Sequence, residues 1–220
     1  MSPARDGSSG SSTRVTGVRR MRRAFASLAC VVLATAGVAL AAEVPASATP
    51  AKKAPETLAA LWTTVLVTPT AQNPFGTGAP STACWTLGRT LAPLGPVSVD
   101  SCSAGTGSPL FITGSSVECS TFEGNGTTEA ELRACAREFD LKTAPSITFD
   151  GRPLTVLEVE TALMQITLPA DNFLGVPAGP GTSVAHGWEA QVNPPPPGTH
   201  TVVINAGPSP ITTTIVIHSS

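Results

Sequence analysis

The chain has 220 residues, of which 41% are hydrophobic and only 13% are charged. Six arginines but only two acidic residues fall within 1–48, so 49–220 hold seven basic and thirteen acidic side chains, a net charge of −6. Apart from Lys52 and Lys53, residues 49–220 contain no cluster of basic side chains. Their acidic net charge therefore argues against nucleic acid as a partner. The length of 49–220 suits one domain with a sizeable core.

Residues 1–48 have the layout of a signal peptide. Four arginines within 19–23 precede an uncharged, mostly apolar segment, 24–42, and the small residues Ala46 and Ala48 follow. Export machinery keeps the arginines on the cytoplasmic side while the apolar segment enters the membrane and signal peptidase accepts the small side chains. We therefore predict cleavage after Ala48 and a secreted or extracytoplasmic product.

The same segment leaves two questions open. Because roughly 20 apolar residues span a bilayer, retention of 24–42 as an uncleaved membrane anchor is the alternative to cleavage. Arg22 and Arg23 also match the twin-arginine export pattern, so the sequence does not fix the export route.

The first predicted element of the exported part is a helix. Residues 49–57 indicate a short flexible tail, and a single domain is expected to follow over 58–220. Helical spacing predicts a short helix that ends before Pro69, because a residue preceding proline avoids the helical region. The apolar residues that define this spacing are Leu58, Leu61, Trp62, Val65 and Leu66.

Residues 72–107 are rich in Gly, Pro, Ser and Thr, with short β-prone pieces at 85–87 and 96–99. The cysteines of the exported part are Cys84, Cys102, Cys119 and Cys135. An even number in an exported chain indicates disulfides, and the absence of Cys-x-x-Cys argues against zinc. Of the three pairings, we favour Cys84 with Cys102 and Cys119 with Cys135, because each closes a loop of under twenty residues. Each bond is expected to stabilise the fold by about 3 kcal/mol.

A second helix begins with a capping box. Thr128 and Glu131 stand three residues apart, so each side chain can satisfy a backbone amide left free at the helix start. The apolar residues that follow repeat at helical spacing and include Cys135, which we expect to face inward and to meet Cys119.

The remainder of the chain predicts strands. Apolar and polar residues alternate over 147–150, and Asp150-Gly151 indicates a tight turn. A second alternation over 157–160 changes parity before 164–168, which predicts a β-bulge or a bend. Three more strands are indicated by alternating sets, namely Val184 to Val192, Val202 with Ile204, and Ile211 to Ile217. We predict a mostly β fold, an antiparallel β-sandwich that a jelly-roll arrangement would fit, with two short helices.

Several short motifs resemble a family of uncharacterised secreted bacterial β-rich proteins with an N-terminal signal peptide. The resemblance is carried in chain order by Asn73-Pro74, Cys84, Cys102, Pro109 to Ile112, Glu118-Cys119-Ser120, Glu129 to Ala136, Asp150-Gly151, Pro169 to Asn172 and Pro197 to Thr201. It implies an exported, disulfide-linked, mostly β domain and no particular activity. The chain departs from the family pattern at His186, where an acidic residue often precedes Gly and an aromatic residue.

His186 and Trp188 are the candidate ligand-binding residues. An imidazole and an indole on one strand face can hold a ligand or support acid-base chemistry, whereas the simpler interpretation is a histidine hydrogen-bonded at the rim of the sheet. Glu158 and Glu160 lie two residues apart and could act as paired carboxylates, but solvated charges on an outer face explain them more simply.

Asp171 and Trp85 mark two further candidate sites. Asp171 and Asn172 offer two of the six or more oxygens that calcium usually gathers, so a turn is the better interpretation. Trp85 is the one tryptophan that the sequence places at the surface, or over a disulfide. We expect no catalytic residue, no metal and no cofactor.

These observations favour a non-catalytic binding or surface-structural module whose partner is an unknown extracellular ligand or cell-surface component. The alternative is a secreted hydrolase with a site assembled from distant loops, including His186 and Asp171. An enzyme is expected to show His186 lining a cleft with a carboxylate within hydrogen-bond reach, whereas a binding module is expected to show an exposed patch without converging acid-base groups.

Overall fold

The structure is a computed structural model, which describes residues 53–76, 84–94, 101–207 and 210–219. The predicted signal peptide, its cleavage site and the start of the tail lie outside the described residues. The β-prone piece at 96–99 lies outside them too.

Both predicted helices are present. α1 (Ala54–Val67) carries a proline in its first turn and ends before Pro69, as expected. It begins earlier than predicted: Ala54 is buried, so the assignment of 54–57 to a flexible tail was wrong. α2 (Glu129–Phe139) starts with the complete capping box of Thr128 and Glu131. Among the described residues, neither helix has the length and hydropathy that a membrane-spanning helix requires.

The described part of the chain contains eleven strands. They are β1 (Cys84–Leu87), β2 (Thr90–Pro93), β3 (Ser101–Gly105), β4 (Leu110–Ser120), β5 (Ser146–Phe149), β6 (Arg152–Pro153), β7 (Leu157–Glu160), β8 (Met164–Leu168), β9 (Gly179–Val192), β10 (Gly198–Asn205) and β11 (Ile211–His218). In chain order, α2 lies between β4 and β5.

The strands form two sheets, which confirms the predicted β-sandwich class. One sheet has the order β1-β2-β4-β9-β7, with β8 also paired to β9, and the other has the order β3-β11-β10-β5-β6. Most pairs are antiparallel, but β2 with β4 and β3 with β11 are parallel. The sheets are therefore mixed, unlike the purely antiparallel sheets of a jelly roll.

The turn between β5 and β6 has the backbone conformation that its sequence predicts. Asp150 and Gly151 both have positive φ, of 50° and 74°, which a two-residue hairpin turn between β5 and β6 requires.

The predicted change of parity after residue 160 is a break between two strands, because β7 and β8 pair with separate parts of β9.

The six-stranded sheet is covered on both faces. On β4, Phe111 packs in a cluster with α1, whereas its neighbours Leu110 and Ile112 pack in the cluster between the two sheets. Because successive strand residues point to opposite faces, α1 and the five-stranded sheet lie on opposite sides of the six-stranded sheet. A third cluster packs Leu132 and Ala136 of α2 against Val184 of β9.

The two disulfides are those we favoured. Cys84 of β1 is bonded to Cys102 of β3, which joins one strand of each sheet across the sandwich. Cys119 of β4 is bonded to Cys135 of α2, which fixes that helix on the six-stranded sheet.

Loss of either disulfide is expected to destabilise the sandwich. Replacing Cys84 and Cys102, or Cys119 and Cys135, with serine should lower the free energy of unfolding by about 3 kcal/mol, because the unfolded chain regains the entropy of a loop of similar length. Urea denaturation of the oxidised protein measures the change. Ser103→Ala, an exposed substitution beside Cys102, is the control. Equal midpoints for the wild type and both double variants would contradict this role.

Candidate functional site

His186 is buried on β9, and both of its ring nitrogens face carboxylates. Its Nδ1 lies 2.8 Å from Oδ2 of Asp140, the residue that caps the C-terminus of α2. The His186 side chain is 4% exposed and that of Asp140 is 0% exposed. The sequence reasoning missed Asp140, because it lies 46 residues away and reaches the strand only through the docking of α2.

The second nitrogen of the ring faces a different strand. Nε2 of His186 lies 3.0 Å from Oε1 of Glu158 on β7, and the Glu158 side chain is 62% exposed. A shallow cleft of about 260 Å³ opens here and is lined by Arg137, Glu158, Val159, Glu160 and His186. Each ring nitrogen of His186 therefore has a carboxylate oxygen within hydrogen-bond distance.

Asp140 is also fully engaged on its other oxygen. Oδ1 accepts hydrogen bonds from the Ser115 hydroxyl and, at 2.7 Å, from the backbone amide of Leu141. The carboxylate therefore stands between the serine and the histidine. A nucleophilic serine would instead have to donate to the histidine, with the carboxylate on the far side of the ring.

Ser115 lies at a β-bulge in β4. The register between β4 and β9 shifts between Thr113 and Ser115. Gly114 permits this bulge, because a Cβ at that position would lie 2.7 Å from Pro145 and 2.9 Å from Ile147. Ser115 then points to Asp140, whereas Ser116 accepts from the indole of Trp62 and donates to the carbonyl of His186.

Trp188 contributes to the same region as a packing residue. Its indole nitrogen donates to the carbonyl of Leu141 at 2.8 Å, and its ring meets that of His186 edge to face at 6.3 Å. Trp85, which the sequence placed at the surface or over a disulfide, is buried with α1 and donates to the carbonyl of Leu94. That expectation was wrong, because Trp85 and the adjacent Cys84 point to opposite faces of β1.

Glu158 and Glu160 do not form a carboxylate pair, since each has a different partner. Glu160 is 18% exposed and binds the guanidinium groups of Arg133 and Arg137 on α2. Arg133 also binds Glu129, one turn earlier on the helix. These contacts attach α2 to β7, and the expectation of a solvated pair was wrong for Glu160.

Asp171 and Asn172 form a turn. The Asn172 side-chain amide donates to the carbonyls of Pro169 and Val176, and its oxygen accepts from the amide of Val176. The Asp171 backbone carbonyl accepts from Thr70. In the described part of the chain, no three His, Cys, Asp or Glu side chains converge as metal ligands would.

Glu118 on β4 and Glu189 on β9 carry raised pKa values, which the sequence did not predict. Complete burial raises the pKa of Glu189 well above its usual range, and the nearby charge of Asp140 adds to this. Thr113 is its cross-strand partner, but neither carboxyl oxygen makes a well-formed hydrogen bond. Burial also raises the pKa of Glu118 to about 8, although the Ser183 hydroxyl donates to it.

A second histidine is paired in the five-stranded sheet. His200 of β10 contacts Asp150 at 2.8 Å and the carbonyl of Pro196 at 2.9 Å, and it stacks on Phe149. Burial opposes protonation of this ring, but its hydrogen bonds to Asp150 and Pro196 raise the pKa. It therefore links the turn between β5 and β6 to β10.

No family model, curated protein or solved structure matches the chain. The resemblance to a secreted β-rich family therefore stays an expectation from the sequence.

Breaking the buried Asp140–His186 pair is expected to cost far more than removing Glu158. Asp140→Asn should lower the free energy of unfolding by about 3 to 5 kcal/mol, because one carboxylate oxygen that accepts buried hydrogen bonds becomes an amide nitrogen that cannot accept them. Glu158→Gln, at an exposed position, should cost less than about 1 kcal/mol. Urea denaturation of both variants measures the difference. Similar losses in the two variants would show that burial does not set the strength of these contacts.

The raised pKa of Glu118 predicts a pH-dependent stability. Because the folded pKa is about 8 and the ordinary value is 4.5, the stabilising contribution of the bound proton is complete below pH 4.5 and is lost as the pH rises to about 8. The free energy of unfolding of the wild type should fall across this window. Glu118→Gln should make the fall less steep, leaving the parts due to Glu189 and His200. Glu138→Gln, at an exposed position on α2, serves as the control and should leave the slope unchanged.

Proposed function

We propose that residues 49–220 act as an exported, non-catalytic binding or surface-structural module. The observation that carries this proposal is the surroundings of His186, the histidine that the sequence singles out for acid-base chemistry. A general base needs a nitrogen lone pair that can reach a substrate proton, but both nitrogens of this buried ring are held by carboxylates. His186 thus acts as a bridge between α2, β7 and β9.

Support for export comes from the sequence and from the disulfides together. The segment 1–48 has a basic head, an apolar middle and small residues at its end. The chain has two disulfides, and disulfides form and persist in oxidising compartments. Both observations are consistent with a mature chain outside the cytoplasm that meets an extracellular ligand or a component of the cell surface.

A secreted hydrolase is the second candidate, and one observation favours it. His186 lines a cleft with carboxylates within hydrogen-bond reach, which is the feature expected of an enzyme. Against it, the ring is almost fully buried, Ser115 lies on the far side of Asp140, and Ser116 donates to the backbone carbonyl of His186. Asp171, the other residue expected in such a site, belongs to a separate turn.

Mass spectrometry of the protein from the culture medium tests the export proposal. The expected mass is that of a chain beginning at Thr49 and lacking four hydrogens, and reduction with dithiothreitol should restore them. A chain that keeps Met1, or that carries four free thiols, would contradict export into an oxidising compartment.

Hydrolysis assays of the same material separate the two candidates. Ester, peptide and glycoside substrates should show no turnover above the blank with the wild type or with Glu158→Gln, a variant that leaves the Asp140–His186 pair intact. Turnover by the wild type that is lost in a folded His186→Gln variant would overturn the non-catalytic assignment.

A further inference from the structure

The outer face of the five-stranded sheet carries no charged side chain over four of its strands. None of β3, β5, β10 and β11 contains Asp, Glu, Lys or Arg. Their inward residues, such as Ile147, Val202 and Ile215, fill the core between the sheets. The alternate residues point outward, and we call them the threonine face. They are Ser101, Ser103, Ser146, Thr148, Thr199, Thr201, Val203, Asn205, Thr212, Thr214, Val216 and His218.

The strand register arranges these residues in rows across the sheet. Thr214 lies between Ser101 and Thr201, and Val203 lies between Thr148 and Thr212. In the described chain, the hydroxyls of the five threonines have no protein partner, so each one can donate and accept a hydrogen bond outside the molecule. β-branched side chains are stiff at χ1, so little entropy is lost when they bind.

A surface of this kind needs an explanation, because exposed protein surfaces usually carry charged side chains of both signs. β11 has a high β-propensity sequence without charge or proline, which is the type of segment that promotes aggregation. Its polarity comes only from hydroxyl groups and His218. Use of the face for binding accounts for the absence of the protective charges.

The chemistry of the face selects its partner. A charged polymer would find no opposite charge on these four strands, and the net charge of −6 on 49–220 would repel a polyanion. A second copy of the chain would have to bury mostly hydroxyl groups, because Val203 and Val216 are the only aliphatic members, whereas the core of a dimer interface is predominantly apolar. An uncharged polymer rich in hydroxyl groups meets neither obstacle.

We infer that the threonine face is a binding site for an uncharged polysaccharide. This inference rests on the proposed function, because it names the ligand class of the binding module. Threonine hydroxyls both donate and accept, as sugar hydroxyls do, and their methyl groups contact the apolar faces of sugar rings. Aromatic side chains are missing from the face, so affinity comes from many weak contacts repeated along one chain.

Co-sedimentation with insoluble polymers tests the inference. The oxidised protein from the culture medium is mixed with particles of cellulose, chitin or cross-linked dextran, and with carboxymethyl-cellulose as the charged comparison. Depletion from the supernatant is expected with at least one of the uncharged polymers and not with carboxymethyl-cellulose. Thr201→Val/Thr214→Val removes two facing hydroxyls and keeps the β-branched shape, so it should weaken binding about tenfold.

Thr167→Val is the matched control, since Thr167 is an exposed strand residue of the other sheet. It should bind as the wild type does, and equal binding by Thr201→Val/Thr214→Val would overturn the assignment of the face. Binding to isolated cell walls but to none of the uncharged polymers would overturn the ligand class and leave the binding module standing. Binding to neither would count against both. Self-association that is abolished in the double variant would assign the face to a second copy instead.

Discussion

The pairing of β4 with β9 is the constraint on which the rest of the structure depends. It joins two long strands over ten registered residue pairs, and β7 and β8 pair with the other edge of β9. α1 packs on one face of this pair, while α2 and the five-stranded sheet pack on the other. Burial on both faces explains why the strands lack a clean alternation of apolar and polar residues.

Polar groups buried along this pair organise its surroundings. The bulge at Gly114 sends Ser115 to Asp140 and Ser116 to Trp62, so one irregularity orients contacts to both helices. Asp140 and His186 then hold the end of α2 against β9, and the disulfide between Cys119 and Cys135 holds its middle. The arrangement is that of a structural bridge between α2 and β9.

Local signals in the sequence were sufficient for both helices, the hairpin turn at Asp150-Gly151 and the disulfide pairing, because each depends on residues near one another in the chain. They were insufficient for β4, whose buried polar residues hide the period of two, and for the parallel pairs, which arise from long-range topology. His186 was identified from its residue type. Its partner Asp140 was not, because only the packing of α2 brings the two together.

Native-state hydrogen exchange tests the central role of the β4–β9 pair most directly. Backbone amides of Phe111 to Glu118 and Val184 to Gln191 are expected to exchange only through global unfolding, with opening free energies equal to that of the whole domain. Amides of β3 and β6, at the edges of the other sheet, are expected to open at lower free energy. If the amides of β10 and β11 remained protected after those of β4 and β9 had exchanged, the fold would be organised around the five-stranded sheet instead.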